Sequence, residues 1–480
     1  MKAEETALYR ICECARLYPD RIAYRDDQTE YTYSECMERC EKIAGSLCGA
    51  DAPVICYGER GADMLCAMFG CYIAKRAYVP VQAGTPSERI ASIVSITKAD
   101  KVLCSCGGGS FANADVCSIG EIVKSDITPQ RADFSDFDEN RIVYMIFTSG
   151  STGIPKGVPI NERNLASFVG WIGNIYSKEK YAHINVLGTA SFSFDLSVAD
   201  IYFSLCFGNT LVSLGNCDKG NSEKICDKFI GYGIDVAVVT PTFARLCLLG
   251  GKFNTESIPK LKSIFLCGEV LDKKTANRLL TNFPNLSLIN AYGPTEATCA
   301  VSAAKINKEH IACNLSLPVG STETCACNLE ISDGKIILKG NSVFSGYLGG
   351  IPGGHFTKNG TNCYDTGDLG FIKNGLIYCN GRNDGQIKFR GYRIELSEIE
   401  SVISEIDGIQ SCAVIAKRTA DGTVRSIRAF VCPENDNVTE EIIGRLSLKI
   451  PDYMLPRIKL MQELPVNANG KIDRKKLCEM

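Results

Sequence analysis

The sequence predicts an α/β protein. It has a large N-terminal body, made of two α/β lobes and a β-rich subdomain, followed by a small, mobile α+β C-terminal domain. Three observations lead to this prediction. Helix-length segments alternate with short apolar runs up to about residue 300, hairpin turn signals follow, and mixed helix and strand patterns return near the end. The length of 480 residues also exceeds a single ordinary core.

The first lobe shows helical periodicity over residues 35–47, and short apolar runs at residues 54–57 and 78–81 predict two strands. From residue 140 to about residue 300 the same alternation repeats, which predicts the second α/β lobe. Its predicted strands lie at residues 142–147, 236–240, 263–266 and 286–290.

The β-rich subdomain is predicted between about residue 305 and residue 380. Two hairpin signals, Asp333-Gly334 and Asn374-Gly375, each lie between runs of apolar and β-branched residues. The pattern therefore changes here from alternating helix and strand to strands joined by tight turns.

The C-terminal domain opens with a helix, for which Ser397 and Glu400 provide a capping-box pattern. We place the domain boundary so that the body spans residues 1–383 and the C-terminal domain spans residues 384–480. The other predicted elements of the C-terminal domain are strands at residues 413–416 and 427–432 and a helix near residues 440–448.

Composition narrows the possible functions. The 52 lysines and arginines are slightly outnumbered by 55 acidic residues, so the chain lacks the basic excess that nucleic-acid binding requires. The first residues are acidic, and no apolar run approaches the roughly 18 residues of a membrane span. We therefore expect a cytoplasmic protein without stable membrane insertion. We expect the 25 cysteines to be reduced thiols, mostly small core residues.

A strand-like run at residues 144–147 leads directly into a loop dense in glycine and hydroxyl groups. Glycine lets the backbone approach an anion closely, and lysine adds a positive charge, so the loop suits a polyphosphate. Pro155 stands where the second glycine of a Walker A motif would be, which excludes an ordinary P-loop NTPase. In isolation, such a loop is more often a flexible surface connection. The candidate anion-binding residues are Thr148, Ser149, Gly150, Ser151, Thr152, Gly153 and Lys156.

Residues 290–298 form a second candidate motif, because a Gly-Pro turn follows a predicted strand. The turn is expected to present Tyr292, Thr295 and Glu296 at the strand's end, where α/β folds bind ligands. Two polar motifs, at residues 364–368 and 381–388, follow along the chain, and a lysine-containing segment at residues 464–474 lies close to its end. Taken singly, the Gly-Pro motif could be a plain turn, the two polar motifs could be solvated acidic loops, and the lysine near the chain end could be surface charge.

Together and in this order, the motifs resemble those of the adenylate-forming superfamily, which contains acyl-CoA ligases, luciferases and the adenylation domains of nonribosomal peptide synthesis. The resemblance implies a site for ATP and Mg²⁺. Its residues would be Thr148, Ser149, Gly150, Ser151, Thr152, Gly153, Lys156, Asn290, Ala291, Tyr292, Gly293, Thr295, Asp368, Arg382 and Lys471.

The resemblance also implies a role for each of several residues. Tyr292 would stack on adenine, Thr295 would contact the α-phosphate, and Glu296 would hold Mg²⁺, a cation that prefers oxygen ligands. Asp368 would accept hydrogen bonds from the ribose hydroxyls, and Arg382 would assist near the ribose or the phosphate.

Lys471 would be the adenylation lysine, with Thr148 and Glu296 as further catalytic residues. Attack of a carboxylate on the α-phosphate builds negative charge, which a positioned ammonium and Mg²⁺ stabilise. The C-terminal domain would swing about Asp384, which is expected to act as the hinge.

Asp195 is the best indication of the substrate, because it lies among large apolar residues within residues 192–200. A buried carboxylate needs a cationic partner. In amino-acid adenylation domains, the matching aspartate pairs with the α-ammonium group of the substrate. The alternative interpretation is an aspartate that caps a helix.

Over nearly its whole length the chain most resembles the D-alanine:carrier protein ligases. The similar segments are residues 192–200, 242–248, 265–271, 317–320 and 451–457. The resemblance implies a pocket for D-alanine formed by Asp195, Cys267, Gly293 and Val301, although Cys267 could also be core filler. It further implies a phosphopantetheine carrier protein on a separate chain, a monomeric enzyme and a role in lipoteichoic acid biosynthesis.

Three alternative functions remain open at the level of sequence. The first is a stand-alone adenylation enzyme for another small amino acid in peptide synthesis. The second is an acyl-CoA ligase, for which Asp195 would be incidental. The third is a nucleotide-binding protein that has lost catalysis.

Overall fold

A computed structural model describes residues 1–107, 111, 114–150, 154–177, 183–214, 221–382, 385–419, 422–433, 439–465 and 472–480. Its first helices are α1 (Ala7–Leu17), α2 (Tyr33–Gly45), α3 (Ala62–Ile73), α4 (Ser87–Thr97) and α5 (Ile119–Lys124). Its first strands are β1 (Ile22–Arg25), β2 (Glu30–Thr32), β3 (Val54–Gly58), β4 (Tyr78–Gln82), β5 (Lys101–Cys104), β6 (Asp115–Ser118), β7 (Ile142–Thr148) and β8 (Lys156–Asn161).

The next part of the body continues the alternation of helix and strand. The helices are α6 (Glu162–Ser177), α7 (Leu196–Leu205), α8 (Ser222–Tyr232), α9 (Pro241–Cys247), α10 (Lys273–Asn282) and α11 (Lys308–Ala312). The strands are β9 (Asn185–Gly188), β10 (Thr210–Ser213), β11 (Val236–Val239), β12 (Ser263–Leu266), β13 (Ser287–Tyr292) and β14 (Ser302–Lys305).

Two large sheets organise the body. One has six strands in the order β6-β5-β3-β4-β7-β8, parallel except for β8, which runs antiparallel to β7. The other has eight strands in the order β14-β13-β12-β11-β9-β10-β1-β2, parallel except for the two end strands. Strands β3, β11, β12 and β13 are buried at every residue, as expected for parallel sheets covered on both faces.

The two sheets do not follow the simple division of the chain into a first and a second half. Strands β1 and β2 belong to the eight-stranded sheet, whereas β7 belongs to the six-stranded sheet. One apolar core accordingly extends through both lobes, and every residue of α7 is buried between them. The strands predicted for the body are confirmed to within two residues at each end.

The β-rich subdomain is antiparallel, as its turn signals predict. Its strands are β15 (Gly320–Ser321), β16 (Asn328–Ser332), β17 (Lys335–Lys339), β18 (His355–Lys358), β19 (Thr361–Lys373) and β20 (Leu376–Arg382). Asp333 and Gly334 join β16 to β17, and Asn374 and Gly375 join β19 to β20, with φ between 50° and 76° at all four residues. Both hairpins are confirmed, because this left-handed backbone is the one that such turn pairs favour.

The C-terminal domain contains a hairpin, a three-stranded sheet and flanking helices. The strands are β21 (Gln386–Phe389), β22 (Tyr392–Glu395), β23 (Ile409–Arg418), β24 (Val424–Pro433) and β25 (Arg457–Leu460), and the helices are α12 (Leu396–Ser404), α13 (Thr439–Lys449) and α14 (Arg474–Glu479). The sheet order is β23-β24-β25, and β21 pairs with β22. The predicted strands and second helix are confirmed.

The predicted capping box of α12 is wrong. The helix begins one residue earlier than Ser397, and its N-cap is Glu395, whose side chain makes no capping hydrogen bond. Glu400 instead accepts the backbone N–H of Val414 at 2.6 Å and pairs with Arg474, so these tertiary contacts use the side chain that a capping box would need.

Among the residues described above, no helix is long and apolar enough to cross a membrane.

Candidate active site

The candidate site lies where the body meets the C-terminal domain. A cavity of about 480 Å³ is lined by residues from the end of β7, from the segment before α7 and from the β21–β22 hairpin. Thr148, Ser149, Asp195 and Thr295 line it from the body, and Arg393 lines it from the hairpin. Residues from four distant parts of the sequence therefore share one cavity.

The loop after β7 closes tightly on itself. An added Cβ at Gly150 would lie 1.9 Å from the carbonyl oxygen of Ile154, so only glycine fits there. Lys156 opens β8, pairs with Thr148 in the sheet, and places its Nζ 5.4 Å from the ring centroid of Tyr347. The predicted anion-binding residues Ser151, Thr152 and Gly153 lie outside the described residues.

Ser149 ties this loop to the C-terminal domain. Its hydroxyl donates to the carbonyl oxygen of Arg393 at 3.0 Å and accepts the backbone N–H of Glu395 at 3.0 Å. The hairpin strand β22 thus lies directly against the predicted phosphate loop.

The residues predicted for adenine and ribose come together where the ends of β13 and β20 meet Asp368 of β19. The hydroxyl of Tyr292 donates to Asp368 at 2.6 Å, and the guanidinium of Arg382 donates to the same carboxylate at 2.7 Å. Arg382 also donates to the carbonyl oxygen of Thr366 at 2.9 Å. From the hairpin, the Nζ of Lys388 lies 5.7 Å from the ring centroid of Tyr292.

Glu296 lies fully buried beneath the loop. Burial by itself would raise the pKa of this carboxyl, but the Arg393 guanidinium and the hydroxyl of Tyr347 more than offset that effect and hold the pKa below its usual range. Arg393 donates to Oε2 at 2.6 Å, and the Tyr347 hydroxyl donates to Oε1. The predicted metal ligand is therefore ionised and already paired with an arginine of the C-terminal domain.

Asp195 occupies the N-cap position of α7 but makes no capping hydrogen bond there. Instead, the hydroxyl of Thr295 donates to its Oδ2 at 2.5 Å. Burial raises the pKa of Asp195, while this hydrogen bond and the charges of Lys388 and Arg393 act in the opposite direction. The carboxylate faces the cavity, so helix capping does not explain its presence.

Of the four residues predicted for the substrate pocket, Asp195 lines the cavity, whereas Cys267, Gly293 and Val301 do not. Cys267 is buried, which raises the pKa of its thiol to about 11, and Asp195 is among its electrostatic neighbours. An added Cβ at Gly293 would lie 2.5 Å from the Cα of Ala300, so the strand end requires glycine. Val301 lies in the core, and its amide donates to the carbonyl oxygen of Tyr292 at 2.8 Å.

Cys299 is a residue close to Asp195 that the sequence analysis missed. It is buried, and its electrostatic neighbours include Asp195 and Cys267. The only signal in the sequence was its position directly after the motif at residues 290–298. Two other predicted residues support the strand: Asn290 donates to the carbonyl oxygen of Pro318 at 2.8 Å, and Ala291 is buried.

The tip of the hairpin was also missed, although its sequence directly follows a recognised motif. The backbone N–H of Gly391 donates to Oε1 of Glu269 at 2.8 Å, and Oε2 of Glu269 accepts the N–H of Thr242 at 2.8 Å. Tyr392 stacks on Tyr453 with ring centroids 3.6 Å apart. The predicted adenylation lysine, Lys471, and the predicted hinge, Asp384, lie outside the described residues.

Comparison with known proteins agrees with this geometry. A family model described as AMP-binding enzyme matches residues 12–348, and one described as AMP-binding enzyme C-terminal domain matches residues 398–471. The fold is similar to that of the Vibrio cholerae adenylation domain AlmE in complex with glycyl-adenosine-5'-phosphate. The TM-score is 0.84 at 22% identity, covering 98% of this chain and 97% of the other. It is also similar to o-succinylbenzoate CoA synthetase from Bacillus subtilis, with a TM-score of 0.83, 17% identity and 98% of each chain covered.

Curated relatives are similar over nearly their full length. A D-alanine--D-alanyl carrier protein ligase from Listeria monocytogenes serotype 4a (strain HCC23) is 38% identical, with 98% of each chain covered. The ligase of the same name from Lactococcus lactis subsp. lactis (strain IL1403) is 34% identical, again with 98% of each chain covered. The chain therefore belongs to the AMP-binding enzyme family and, within it, to the family of D-alanine--D-alanyl carrier protein ligases.

Proposed function

We propose that this chain uses ATP to activate D-alanine and then transfers the D-alanyl group to the phosphopantetheine thiol of a carrier protein. The observation that carries this proposal is the Asp195 carboxylate, which lines the same cavity as Thr148 and Ser149 of the phosphate loop. A carboxylate there can pair with the α-ammonium group of an amino acid while the phosphates of ATP lie beside it. The choice of D-alanine rests on the names of the curated relatives.

The first step joins the substrate carboxylate to the α-phosphorus of ATP. An oxygen of the carboxylate attacks, the bond between the α-phosphorus and the bridging oxygen breaks, and pyrophosphate leaves. In the second step, the carrier thiol loses its proton, its sulfur attacks the adenylate carbonyl, and AMP leaves as a thioester forms. Both steps require stabilisation of negative charge on oxygen.

Different residues of this chain bind the different parts of the substrates. We propose that Asp195 binds the ammonium group, that Tyr292 and Asp368 orient adenine and ribose, and that the loop after β7 binds phosphate oxygens. The hydrogen bond from Tyr292 to Asp368 supports the second assignment, because it holds the two side chains together. We assign adenylate formation to Lys471, whose ammonium would stabilise the charge on the attacked phosphate.

We further propose that the first step requires Mg²⁺ and that Glu296 binds it. An ionised carboxylate is a ligand that this hard cation prefers, and the lowered pKa keeps Glu296 ionised. When bound, the cation would neutralise charge on the phosphate oxygens. In the present arrangement Arg393 pairs with that carboxylate, so binding of the cation requires the hairpin to withdraw.

The same contact supports a moving C-terminal domain. Cys379 packs against the main body core, and the separate core of the C-terminal domain begins at Ile387. These positions bracket the proposed boundary at residues 383 and 384, with Asp384 as the hinge. We propose that the enzyme acts as a monomer and that its carrier protein is a separate chain.

Exchange of labelled pyrophosphate into ATP tests the proposal, because it reports the first step without a carrier. The acids to compare are D-alanine, L-alanine, glycine, D-serine, L-serine and acetate. We expect D-alanine to lead and an Asp195→Ala variant to lose that exchange. A lead by another amino acid would replace the substrate and keep the chemistry, whereas exchange with acetate alone would contradict the role of Asp195.

A further inference from the structure

We propose that Arg60 is a positioning residue, which fixes the segment that carries Asp195 and thereby sets the affinity for the amino acid. The segment in question, residues 189–195, connects β9 to α7 and is called the anchoring loop below. The proposal rests on the function proposed above, because it concerns how the substrate ammonium is bound.

Arg60 reaches the anchoring loop from the other lobe. It lies between β3 and α3, and its side chain is 2% exposed. It donates to the carbonyl oxygen of Ala190 at 2.7 Å, and its guanidinium carbon lies 4.6 Å from the ring centroid of Phe192. One side chain from the segment after β3 therefore holds two residues of the anchoring loop.

The other bonds of Arg60 hold the two elements next to the loop. Its NH2 group donates to Oδ1 of Asp200 at 2.8 Å, and Nε donates to the hydroxyl of Ser213 at 2.9 Å. Asp200 lies in α7 and its side chain is fully buried, so α7, β10 and the anchoring loop share one guanidinium. A guanidinium offers five N–H groups in a rigid fork, which makes it suited to joining several acceptors at fixed geometry.

The ion pair of Arg60 and Asp200 is closely packed against the end of β9. An added Cβ at Gly188, the last residue of β9, would lie 2.3 Å from Oδ2 of Asp200 and 2.4 Å from NH2 of Arg60. The pair thus packs directly against the backbone from which the anchoring loop leaves the sheet. A displacement of about 1 Å at a binding group can cost about 100-fold in rate or affinity, so this support matters for Asp195.

A buried ion pair could instead contribute only to folding, and the chain offers a control for that possibility. Arg76 is also 2% exposed at its side chain, belongs to the same lobe, pairs with Asp100, whose side chain is 44% exposed, and donates to the carbonyl oxygen of Ala52 at 2.7 Å. Arg76 does not line the cavity of the candidate site. Loss of Arg76 should therefore cost stability without changing substrate affinity.

The experiment compares Arg60→Met, Arg60→Lys and Arg76→Met by pyrophosphate exchange at varied amino acid and at varied ATP. We expect Arg60→Met to raise the KM for the amino acid about 100-fold while the KM for ATP changes less than about threefold. Arg60→Lys, which keeps a charge beside Asp200 but not the forked geometry, should give an intermediate KM. Arg76→Met should lower the thermal unfolding midpoint and leave both KM values unchanged.

An unchanged amino-acid KM in Arg60→Met, with a stability loss like that of Arg76→Met, would overturn the inference. If Arg60→Met does not fold, Arg60→Lys and Ser213→Ala provide milder tests, and wild-type amino-acid KM values in both would overturn it equally. A wild-type enzyme that prefers another amino acid would contradict the proposed substrate, and the Arg60 comparison would then be made with that amino acid.

Discussion

At the scale of single residues, Asp195 lies with its carboxylate in the wall of a cavity that is lined by both apolar and polar groups. The Thr295 hydroxyl donates a hydrogen bond to one oxygen of this carboxylate, and the positive charges of Lys388 and Arg393 in the hairpin stabilise its ionised form. Burial still dominates and raises the pKa. A cationic substrate group placed against Asp195 would remove most of that penalty, which is why the site favours an ammonium ion.

The Asp195→Asn variant tests this electrostatic account. We expect its KM for the amino acid to rise about 100-fold, because the amide keeps the size but loses the charge. In the wild type, binding should weaken as pH falls through the raised pKa of Asp195, since protonation removes the same charge. The variant should lack this acid limb when KM is measured across pH. An equal rise in the KM for ATP would contradict a specific role in binding the amino acid.

Glu162 provides a prediction about stability rather than activity. It is 4% exposed, accepts the Tyr72 hydroxyl at 2.5 Å, and has its pKa raised to about 7 by burial. The folded pKa of Glu162 lies above its unfolded pKa. The part of the stability that depends on Glu162 is therefore fully present below about pH 4, and roughly 3 kcal/mol is lost as pH rises towards 7. Glu162→Gln should remove this loss.

The measurement is the thermal unfolding midpoint of both proteins at about pH 5 and about pH 8, where the variant should gain most. Glu4→Gln, at an exposed position near the N-terminus, is the control and should match the wild type at both pH values. A Glu162→Gln midpoint that follows the wild type at both pH values would contradict the assignment.

At the scale of elements, we propose that the β21–β22 hairpin selects which of the two steps the site can perform. Its tip has Gly391 at φ +88°, where an added Cβ would lie 2.9 Å from Cγ2 of Thr240. Its second strand contacts Ser149, and Arg393 pairs with Glu296. The hairpin thus occupies the side of the site where the terminal phosphates and Mg²⁺ would bind. This arrangement suits the thioester step, which needs neither.

Gly391→Ala should therefore slow thioester formation at least tenfold while pyrophosphate exchange stays within about threefold of the wild type. The control is Gly408→Ala, because Gly408 also has a left-handed backbone at φ +80° but has nothing within 4 Å of an added Cβ. Both variants place alanine in a left-handed backbone conformation, but only the new Cβ of Gly391→Ala also lies against the side chain of Thr240. Equal effects of the two substitutions on the thioester step would contradict a role for the docked tip.

At the scale of the whole molecule, several contacts hold the C-terminal domain against the body. Arg89 in α4 donates to Glu398 in α12 at 3.0 Å, and both side chains are buried. The carboxylate of Glu269 accepts the backbone N–H of Gly391, and the carboxylate of Glu296 accepts a hydrogen bond from the Arg393 guanidinium. Since Mg²⁺ and Arg393 would use the same carboxylate, we expect ATP with Mg²⁺ to shift the molecule towards a state with the hairpin withdrawn.

Hydrogen exchange tests this shift directly. With a non-hydrolysable ATP analogue and Mg²⁺, the amides of Gly391 and Glu395 should exchange faster, because they lose Glu269 and Ser149 as acceptors. The analogue with a chelator should have a smaller effect. Amides in the centre of β24, such as that of Val431, serve as the internal control. Unchanged or slower exchange at the hairpin with Mg²⁺ present would contradict mutual exclusion.

Local sequence patterns determined much of the fold, because strand burial and turn conformation depend on neighbouring residues. Apolar runs predicted β3, β7 and β12 because both faces of a parallel sheet are covered, and Asp333-Gly334 predicted a hairpin because its backbone conformation belongs to that residue pair. The motif order indicated the family, and family membership is confirmed by the matching models and relatives. The assignments of individual site residues stay predictions.

Tertiary structure alone decided three further features. It placed β1 in the sheet of the second lobe and β7 in that of the first, because parallel pairing is set by distant partners and leaves no pattern in the strand itself. The helix α12 begins before the expected cap, and Glu400 accepts the backbone N–H of Val414 instead of forming the capping box. Tertiary structure also brought Arg393 onto Glu296 and Arg60 onto the anchoring loop. Contacts between residues so far apart depend on how the domains pack, and no local sequence pattern encodes that packing.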